Sequence, residues 1–277
     1  MNDVSSAIDE DYSAIPDLAA RIADTLEQAG IPAEKWTPDI LAPADQIHGG
    51  GLTQTRLHAA LTTIRADMHL IDIGCGIGGP ARYFATEFGC RVTGIDLTPE
   101  YIDSARKLSE MMGLSDRVSF DVGDAAELPY DDEAFDMAWA LNVTMNIKDR
   151  EKFYTGVHRV LKPGASFGIS ELGQGPGGEP YYPLTWARDP SYSFLLPPDE
   201  MRRVLESCGF KVVEWIDEAA RRQAAEISPP PSEPEVDTPL TIEITRGADY
   251  PDRRKNSGRS AKEGRLTNVM LVAEKVS

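Results

Sequence analysis

The sequence predicts an α/β fold built as a doubly wound, mostly parallel sheet, and three observations predict it. Apolar, strand-like runs alternate with helix-spaced segments over residues 69–169. A glycine loop, Gly74-Cys75-Gly76-Ile77-Gly78-Gly79, follows directly on the first apolar run. Three acids, Asp72, Asp96 and Asp124, stand at the ends of successive strand candidates, the place where open α/β sheets bind their ligands.

Each element has its own local reason. Residues 15–29 show helical spacing, with Ile15, Leu18, Ile22, Leu26 and Ala29 on one side and Gly30 and Pro32 as the stop, and this helix is expected to cover the site as an N-terminal cap. A second helix is expected over residues 53–65, feeding the first strand. Pro80 opens the helix after the glycine loop, where a missing N–H is harmless. Residues 91–96 read as the second strand, Thr98-Pro99-Glu100 as the next helix start with Thr98 as its cap, and residues 118–122 as the third strand. After Glu171, residues 173–180 are too rich in glycine and proline for a regular element and read as a lid following the fifth strand. A helix at 198–207 and strands at 210–216 and 268–275 complete the sheet, while the proline-rich 229–235 reads as a stiff linker or flap.

The glycines alone are a weak signal: Gly74, Gly76 and Gly79 satisfy the loose G-x-G-x-x-G pattern of nucleotide-binding loops. The acid two residues ahead of them is more selective. A dinucleotide places a pyrophosphate in this loop, and Asp72 opposes it. S-adenosylmethionine carries no phosphate but presents an ammonium and a sulfonium, which a carboxylate at Asp72 would favour. Asp96, about 20 residues on, stands where a ribose diol is gripped. Asp124 can accept from an adenine amino group, or simply serve its turn. Two readings of other classes stay open: a nicotinamide-dependent oxidoreductase, favoured by the glycine spacing and Asp96 but opposed by Asp72 and Asp124, and a noncatalytic cofactor-binding module.

Over roughly residues 45–174 the chain resembles the class I S-adenosylmethionine-dependent methyltransferases. Ile71-Asp72-Ile73-Gly74-Cys75-Gly76 is similar to the family's first motif, Gly94-Ile95-Asp96 to its second-strand acid, and Gly123-Asp124-Ala125-Ala126-Glu127-Leu128-Pro129-Tyr130 to its adenine-side segment. Phe135-Asp136-Met137-Ala138-Trp139-Ala140-Leu141-Asn142 resembles the fourth strand and Val160-Leu161-Lys162-Pro163-Gly164-Ala165 the turn into the fifth. Asn146 departs from the pattern, since many relatives carry histidine there. Asp45-Gln46-Ile47-His48-Gly49-Gly50, Gly78-Gly79-Pro80-Ala81-Arg82-Tyr83 and Lys262-Glu263-Gly264-Arg265 look closest to small-molecule enzymes such as sarcosine/dimethylglycine N-methyltransferases, with tocopherol-type and sterol-type C-methyltransferases nearby. The resemblance implies a Rossmann-like seven-stranded sheet with an antiparallel final pair. It also implies S-adenosyl-L-methionine as cofactor, S-adenosyl-L-homocysteine as product, and cofactor contacts at Gln46, Asp72, Gly74, Gly76, Asp96, Leu97, Asp124, Ala125 and Leu141. Gln46 and Asn142 resemble cofactor or substrate contacts without the sequence deciding which. The chain then divides into residues 1–52, an N-terminal helical cap and cofactor-entry segment, and 53–277, the Rossmann-like domain with inserted lid segments around 173–200 and 217–266.

Composition sets the outer bounds. A chain of 277 residues with 41% hydrophobic content suffices for one α/β core with additions, and no apolar stretch approaches the roughly 20 residues of a membrane span. The acidic start Met1-Asn2-Asp3-Val4 lacks the order of a secretory signal, so a cytoplasmic location is expected. Cys75, Cys90 and Cys208 are odd in number and widely spaced, which indicates neither disulfides nor a zinc site. A formal net charge of −17 opposes nucleic acid and polyanionic partners; solubility or life at high internal salt would each explain it. The expected partner is a small-molecule acceptor, and oligomeric state stays open, a homodimer included.

Methyl transfer from a sulfonium is an in-line displacement in which protein supplies alignment, desolvation and charge placement. If the acceptor is a protonated amine, a base must remove its proton; His48 and Glu171 are the candidates. Tyr181, Tyr182, Trp186 and Tyr192 could hold a methylated ammonium by cation–π attraction or form a satellite core. An amino-acid acceptor also needs a guanidinium, available at Arg188, Arg246, Arg254 or Arg265, so Asn142, Tyr181, Trp186 and Arg188 are the substrate-side candidates. The expected activity is N-methylation of a small amine or amino acid of the glycine betaine type, with C- or S-methylation as the alternative.

Overall fold

The computed structural model describes residues 3–12, 15–217 and 236–276. Helices α1 (Asp3–Tyr12), α2 (Leu18–Gln28), α3 (Pro38–Asp45) and α4 (Gly51–Ala59) precede the sheet. There follow β1 (His69–Ile73), α5 (Gly79–Phe88), β2 (Arg91–Asp96), α6 (Pro99–Met111), β3 (Val118–Val122), β4 (Phe135–Leu141), α7 (Arg150–Val160), β5 (Leu161–Gln174), α8 (Pro198–Ser207), β6 (Phe210–Asp217), helices Glu243–Arg246 and Tyr250–Lys262, and β7 (Leu266–Lys275). The seven strands form one sheet in the order β3-β2-β1-β4-β5-β7-β6. Strands β1 to β5 run parallel to one another, and β7 is antiparallel to both β5 and β6, so the sheet is mixed.

Strand periodicity sorts the core into two layers. Ile71 and Ile73 of β1 pack with Ala138 and Ala140 of β4 against Phe153, Tyr154, Val157 and Val160 of α7. The alternate residues Leu70, Met137 and Trp139 face α5 and α6, where Trp139 stacks on Phe84 with ring centroids 4.8 Å apart. Strand order reverses between β1 and β4, and this switch point opens a crevice at their carboxyl ends.

Several boundaries differ from the sequence reading, each for a local reason. Leu18, Ile22 and Leu26 are fully buried as expected, but Ile15 lies ahead of α2 and Ala29 is exposed past its end, where Gly30 at φ +75° turns the chain away. Helix α4 stops at Ala59 rather than 65 because the β-branched Thr62, Thr63 and Ile64 hold it poorly. Thr98 occupies the cap position of α6 without a side-chain cap bond; its amide instead donates to Asp96 Oδ1 at 3.0 Å. Strand β5 runs through Gly173 and Gln174, paired as far as Gln174 with Leu266, so the loop starts later than the glycine content suggested. A Cβ at Gly173 would lie 2.3 Å from Met201 Cε, which is why glycine serves inside this strand. The stretch 229–235 lies outside the described residues.

Candidate active site

A cleft of about 1510 Å³ runs over the carboxyl ends of β1, β2 and β4. The parallel sheet delivers its inner wall. Asp72, on β1, is 1% exposed; it accepts a hydrogen bond from the Ala81 amide, while its Oδ2 has no partner among the described residues. Burial, and next the nearby charge of Asp96, push its carboxyl up to about 7. Asp96 closes the glycine loop: the Gly76 amide donates to Oδ2 at 2.9 Å and Thr98 to Oδ1 at 3.0 Å. Burial raises its carboxyl too, against those amide bonds. Gly76 at φ +55° takes a conformation that favours glycine, and a Cβ there would stand 2.7 Å from Ile47 Cδ1. Asp124 Oδ1 accepts from the Ala126 amide at 2.8 Å. Gly74, Leu97, Ala125 and Leu141 line the same wall.

Two polar groups mark the middle of the cleft. His48 lines it, with Nε2 3.1 Å from Gln46 Oε1 and 3.0 Å from Thr55 Oγ1, and Nδ1 3.3 Å from its neighbour's Gly49 carbonyl. The Thr55 hydroxyl donates to Gln46 Oε1 at 2.8 Å, so its oxygen and that of Gln46 face Nε2 as acceptors while the Gly49 carbonyl faces Nδ1, and both ring nitrogens of His48 look onto acceptors. Asn142 leaves β4 at φ +55°, and its side-chain carbonyl accepts from Ser170 Oγ at 3.0 Å. Beneath the cleft, His58 is buried and pushed down to about 4, so it stays neutral as its Nε2–H donates to the Leu271 carbonyl at 2.9 Å.

The outer wall comes from elsewhere in the chain. Helix α1 contributes Val4, Ile8 and Tyr12, the segment after β5 contributes Thr185 and Trp186, and the C-terminal helices contribute Arg246, Tyr250 and Arg254. Trp186 is 3% exposed and packs with Met145, Leu184 and Tyr192, so the satellite-core alternative describes it as well as a cleft position does. Asn146, the departure from the family pattern, donates to the Tyr192 carbonyl at 2.8 Å and ties this segment down.

Four of the expected site residues lie away from the cleft surface. Gln46 is 3% exposed behind His48. Glu171 is fully buried with Tyr154 and Arg150 because strand alternation turns it from the cleft while Leu172 faces in. Tyr181 is sandwiched between Arg259 and Arg265, at 3.8 and 4.3 Å, with its hydroxyl on Glu263. Arg188 is about half exposed and spent on Asp11 and Asp249. Tyr12, Gln54, Tyr101, Arg150 and Arg246 line the cleft without having been singled out as site residues; only Arg246 carried any signal, as one guanidinium among four. Among the described residues, no group of three or more His, Cys, Asp or Glu is placed to hold a metal ion, and no helix is long and apolar enough to cross a membrane.

Comparison with known proteins agrees with this geometry. Residues 71–169 match the family model of a methyltransferase domain. The chain is 34% identical over 150 residues to a probable chloroplastic tocopherol O-methyltransferase of Oryza sativa subsp. japonica, covering 53% of this chain and 37% of that one. It is 41% identical over 97 residues to norajmaline N-methyltransferase of Rauvolfia serpentina, covering 35% and 33%. The chain thus spans about a third of the length of these curated relatives. In fold it is similar to a geranyl diphosphate C-methyltransferase of Streptomyces coelicolor A3(2), crystallised with S-adenosyl-L-homocysteine, at TM-score 0.63 and 20% identity over 81% of this chain and 80% of that one. The stretch 71–169, which carries Asp72, Asp96, Asp124 and Asn142, is therefore the part of the chain that is similar to a methyltransferase domain.

Proposed function

We propose that this protein is an enzyme that transfers the methyl group of S-adenosyl-L-methionine to a nitrogen of a small amine or amino acid, releasing S-adenosyl-L-homocysteine. The observation that carries the donor is the buried Asp72 carboxylate, whose Oδ2 has no partner among the described residues. A buried carboxylate is costly without a cation, and the donor's ammonium supplies one. Asp96, held by the Gly76, Leu97 and Thr98 amides at the exit of β2, meets the ribose diol, Asp124 receives the adenine amino group, and Leu97, Ala125 and Leu141 pack the nucleoside. The sulfonium supplies an activated methyl group; the chain aligns it and excludes water. Residues 1–52 act as the cap, and the segments 173–200 and 217–266, as far as they are described, as lids on the domain 53–277.

His48 is the base. Held between Gln46, Thr55 and the Gly49 carbonyl, its imidazole takes the ammonium proton before the nitrogen lone pair attacks in line. Gln46 thus serves as a positioning residue. Support for nitrogen comes from this base and from the N-methylating relative; the O-methylating relative keeps other targets in view. The test is a product-mass screen with isotope-labelled donor against glycine derivatives, other small amines, thiols and phenols. Labelled methyl on nitrogen is expected. Label on oxygen, carbon or sulfur would overturn the target atom, and no S-adenosylhomocysteine with any acceptor would overturn the activity.

A further inference from the structure

Among the described residues four arginines are buried, Arg82, Arg150, Arg246 and Arg253, and three of them have a carboxylate. Arg82 pairs with Asp45 at 2.8 Å, Arg253 with Asp11 at 2.8 Å, and Arg150 with Glu171 at 3.4 Å. Arg246, 8% exposed and lining the cleft, has none among the described residues. Its guanidinium donates to Tyr101 Oη at 3.4 Å and to the Thr185 carbonyl, and it lies 4.3 Å above the ring of Tyr12. Every one of these partners is neutral. Burial raises both phenols, Tyr12 up to about 12, so neither becomes a counter-ion at ordinary pH. Cation–π attraction and two neutral acceptors offset only part of the desolvation of a buried guanidinium, and the missing element is an anion.

The adjoining helix Tyr250–Lys262 repeats the sign. Tyr250, Arg254, Ser257, Gly258, Ala261 and Lys262, spaced as one helical face, line the cleft. Small residues leave room in the middle, and Arg254 and Lys262 add positive charge at the cleft mouth in a chain whose formal net charge is −17. Val4 and Ile8 of α1 supply an apolar surface nearby.

We propose that Arg246 is the anchor for a carboxylate carried by the methyl acceptor, so that the acceptor is an amphipathic acid rather than a simple amine. This rests on taking the outer half of the cleft as the acceptor chamber. The same chemistry could come from the donor's own methionyl carboxylate, and the experiment separates the two. Phenylacetate and its uncharged isostere phenylacetamide are titrated calorimetrically into protein loaded with S-adenosylhomocysteine, for the wild type, Arg246→Gln and Arg246→Lys. S-adenosylhomocysteine and 5′-methylthioadenosine, which lacks the carboxylate, are titrated into the free proteins. The expected result is a preference for the acid of about tenfold or more in the wild type, retained in part by Arg246→Lys and lost in Arg246→Gln, with S-adenosylhomocysteine affinity unchanged within about threefold. Equal binding of acid and amide by the wild type, or no binding of the acid, would overturn the proposal without any variant having to fold. A preference that survives Arg246→Gln would reduce Arg246 to a structural clamp. A loss of about tenfold for S-adenosylhomocysteine but not for 5′-methylthioadenosine would assign the anion to the donor and overturn the acceptor assignment. None of these outcomes depends on which atom is methylated, which the product-mass screen decides alone.

Discussion

The two halves of the cleft are built in opposite ways. The inner half takes Asp72, Asp96 and Asp124 from strand exits within about 50 residues of one another, all aimed by the parallel strands β1 to β3. The outer half joins α1, the segment after β5 and the helix Tyr250–Lys262, and its fastening is ionic: Asp11 accepts from Arg253 at 3.0 and 2.8 Å, from Arg188 at 2.9 Å and from Tyr192 Oη at 3.1 Å. The inner wall is acidic and the outer wall carries arginine. On the reading proposed above, a ligand pair held between them would meet a cation-seeking surface on one side and an anion-seeking surface on the other, which would orient donor and acceptor without a covalent step. The construction also implies that the outer wall can loosen while the sheet stays intact.

Removing the central carboxylate of that fastening is the largest test of this separation. Asp11→Ala leaves Arg253, 1% exposed, buried without a counter-ion, at a cost of about 3–5 kcal/mol. We expect hydrogen exchange to accelerate around residues 184–192 and 250–260, with strands β1 to β4 still protected and S-adenosylhomocysteine still bound. Global unfolding together with loss of the nucleotide would show that the halves are one cooperative unit.

On the inner side, Asp96→Ala removes the carboxylate proposed for the ribose and loosens the glycine loop through the Gly76 amide. A loss of about 3 kcal/mol, roughly 100-fold in S-adenosylhomocysteine affinity, is expected by calorimetry, with the far-ultraviolet circular dichroism unchanged. Unaltered affinity would refute the ribose role.

The same contrast explains what could be read from the chain alone. Strands β2 and β3 and the acids of the inner wall were legible because each signal is local: an apolar run, a glycine loop and a carboxylate at a fixed offset. Glu171 misled because its place at the end of the fifth-strand motif does not say which face of β5 it occupies; pairing with β7 and the packing of Tyr154 decide that. Arg188 and Tyr181 looked available for substrate, yet their partners Asp11 and Arg259 lie 177 and 78 positions away, beyond any local pattern. Helix α1 offered little apolar periodicity, and its burial against Trp186 and Tyr192 is a purely tertiary event. Arg246 was visible only as one basic residue among several, since what sets it apart is a carboxylate that its buried counterparts have and it lacks.

A smaller effect concerns Asp72. Its folded-state carboxyl stands at about 7 through burial first and the Asp96 charge second, well above the unfolded value near 4. The donor-free fold therefore holds a proton the unfolded chain would release: the stabilisation from this group is complete below about pH 4 and is lost as pH rises through 7. Donor binding runs the other way, because the ammonium requires the ionised form. The ionised fraction at a value of about 7 rises from roughly a tenth at pH 6 to roughly nine tenths at pH 8, so donor affinity should climb about tenfold over that interval. Calorimetric titration in the wild type and in Asp72→Asn checks this; an equally steep rise in the variant would place the titrating group elsewhere.

The smallest expected effect lies on the seam between the halves, at Asn142. This residue leaves β4 at φ +55°, in the left-handed region where a Cβ is disfavoured, and its side chain is held by Ser170 Oγ at 3.0 Å while its amide donates to the Ser170 carbonyl at 2.8 Å. Asparagine tolerates that backbone better than most residues, and glycine better still. Asn142→Ala loses the side-chain bond and keeps the strained Cβ, for a destabilisation of about 1–2 kcal/mol; Asn142→Gly loses the same bond but relieves the backbone, so it should fall within about 0.5 kcal/mol of the wild type. Urea denaturation of the three proteins separates the contributions. Should alanine and glycine prove equally destabilising, the left-handed turn costs nothing measurable, and Asn142 is held at this junction by its hydrogen bond alone.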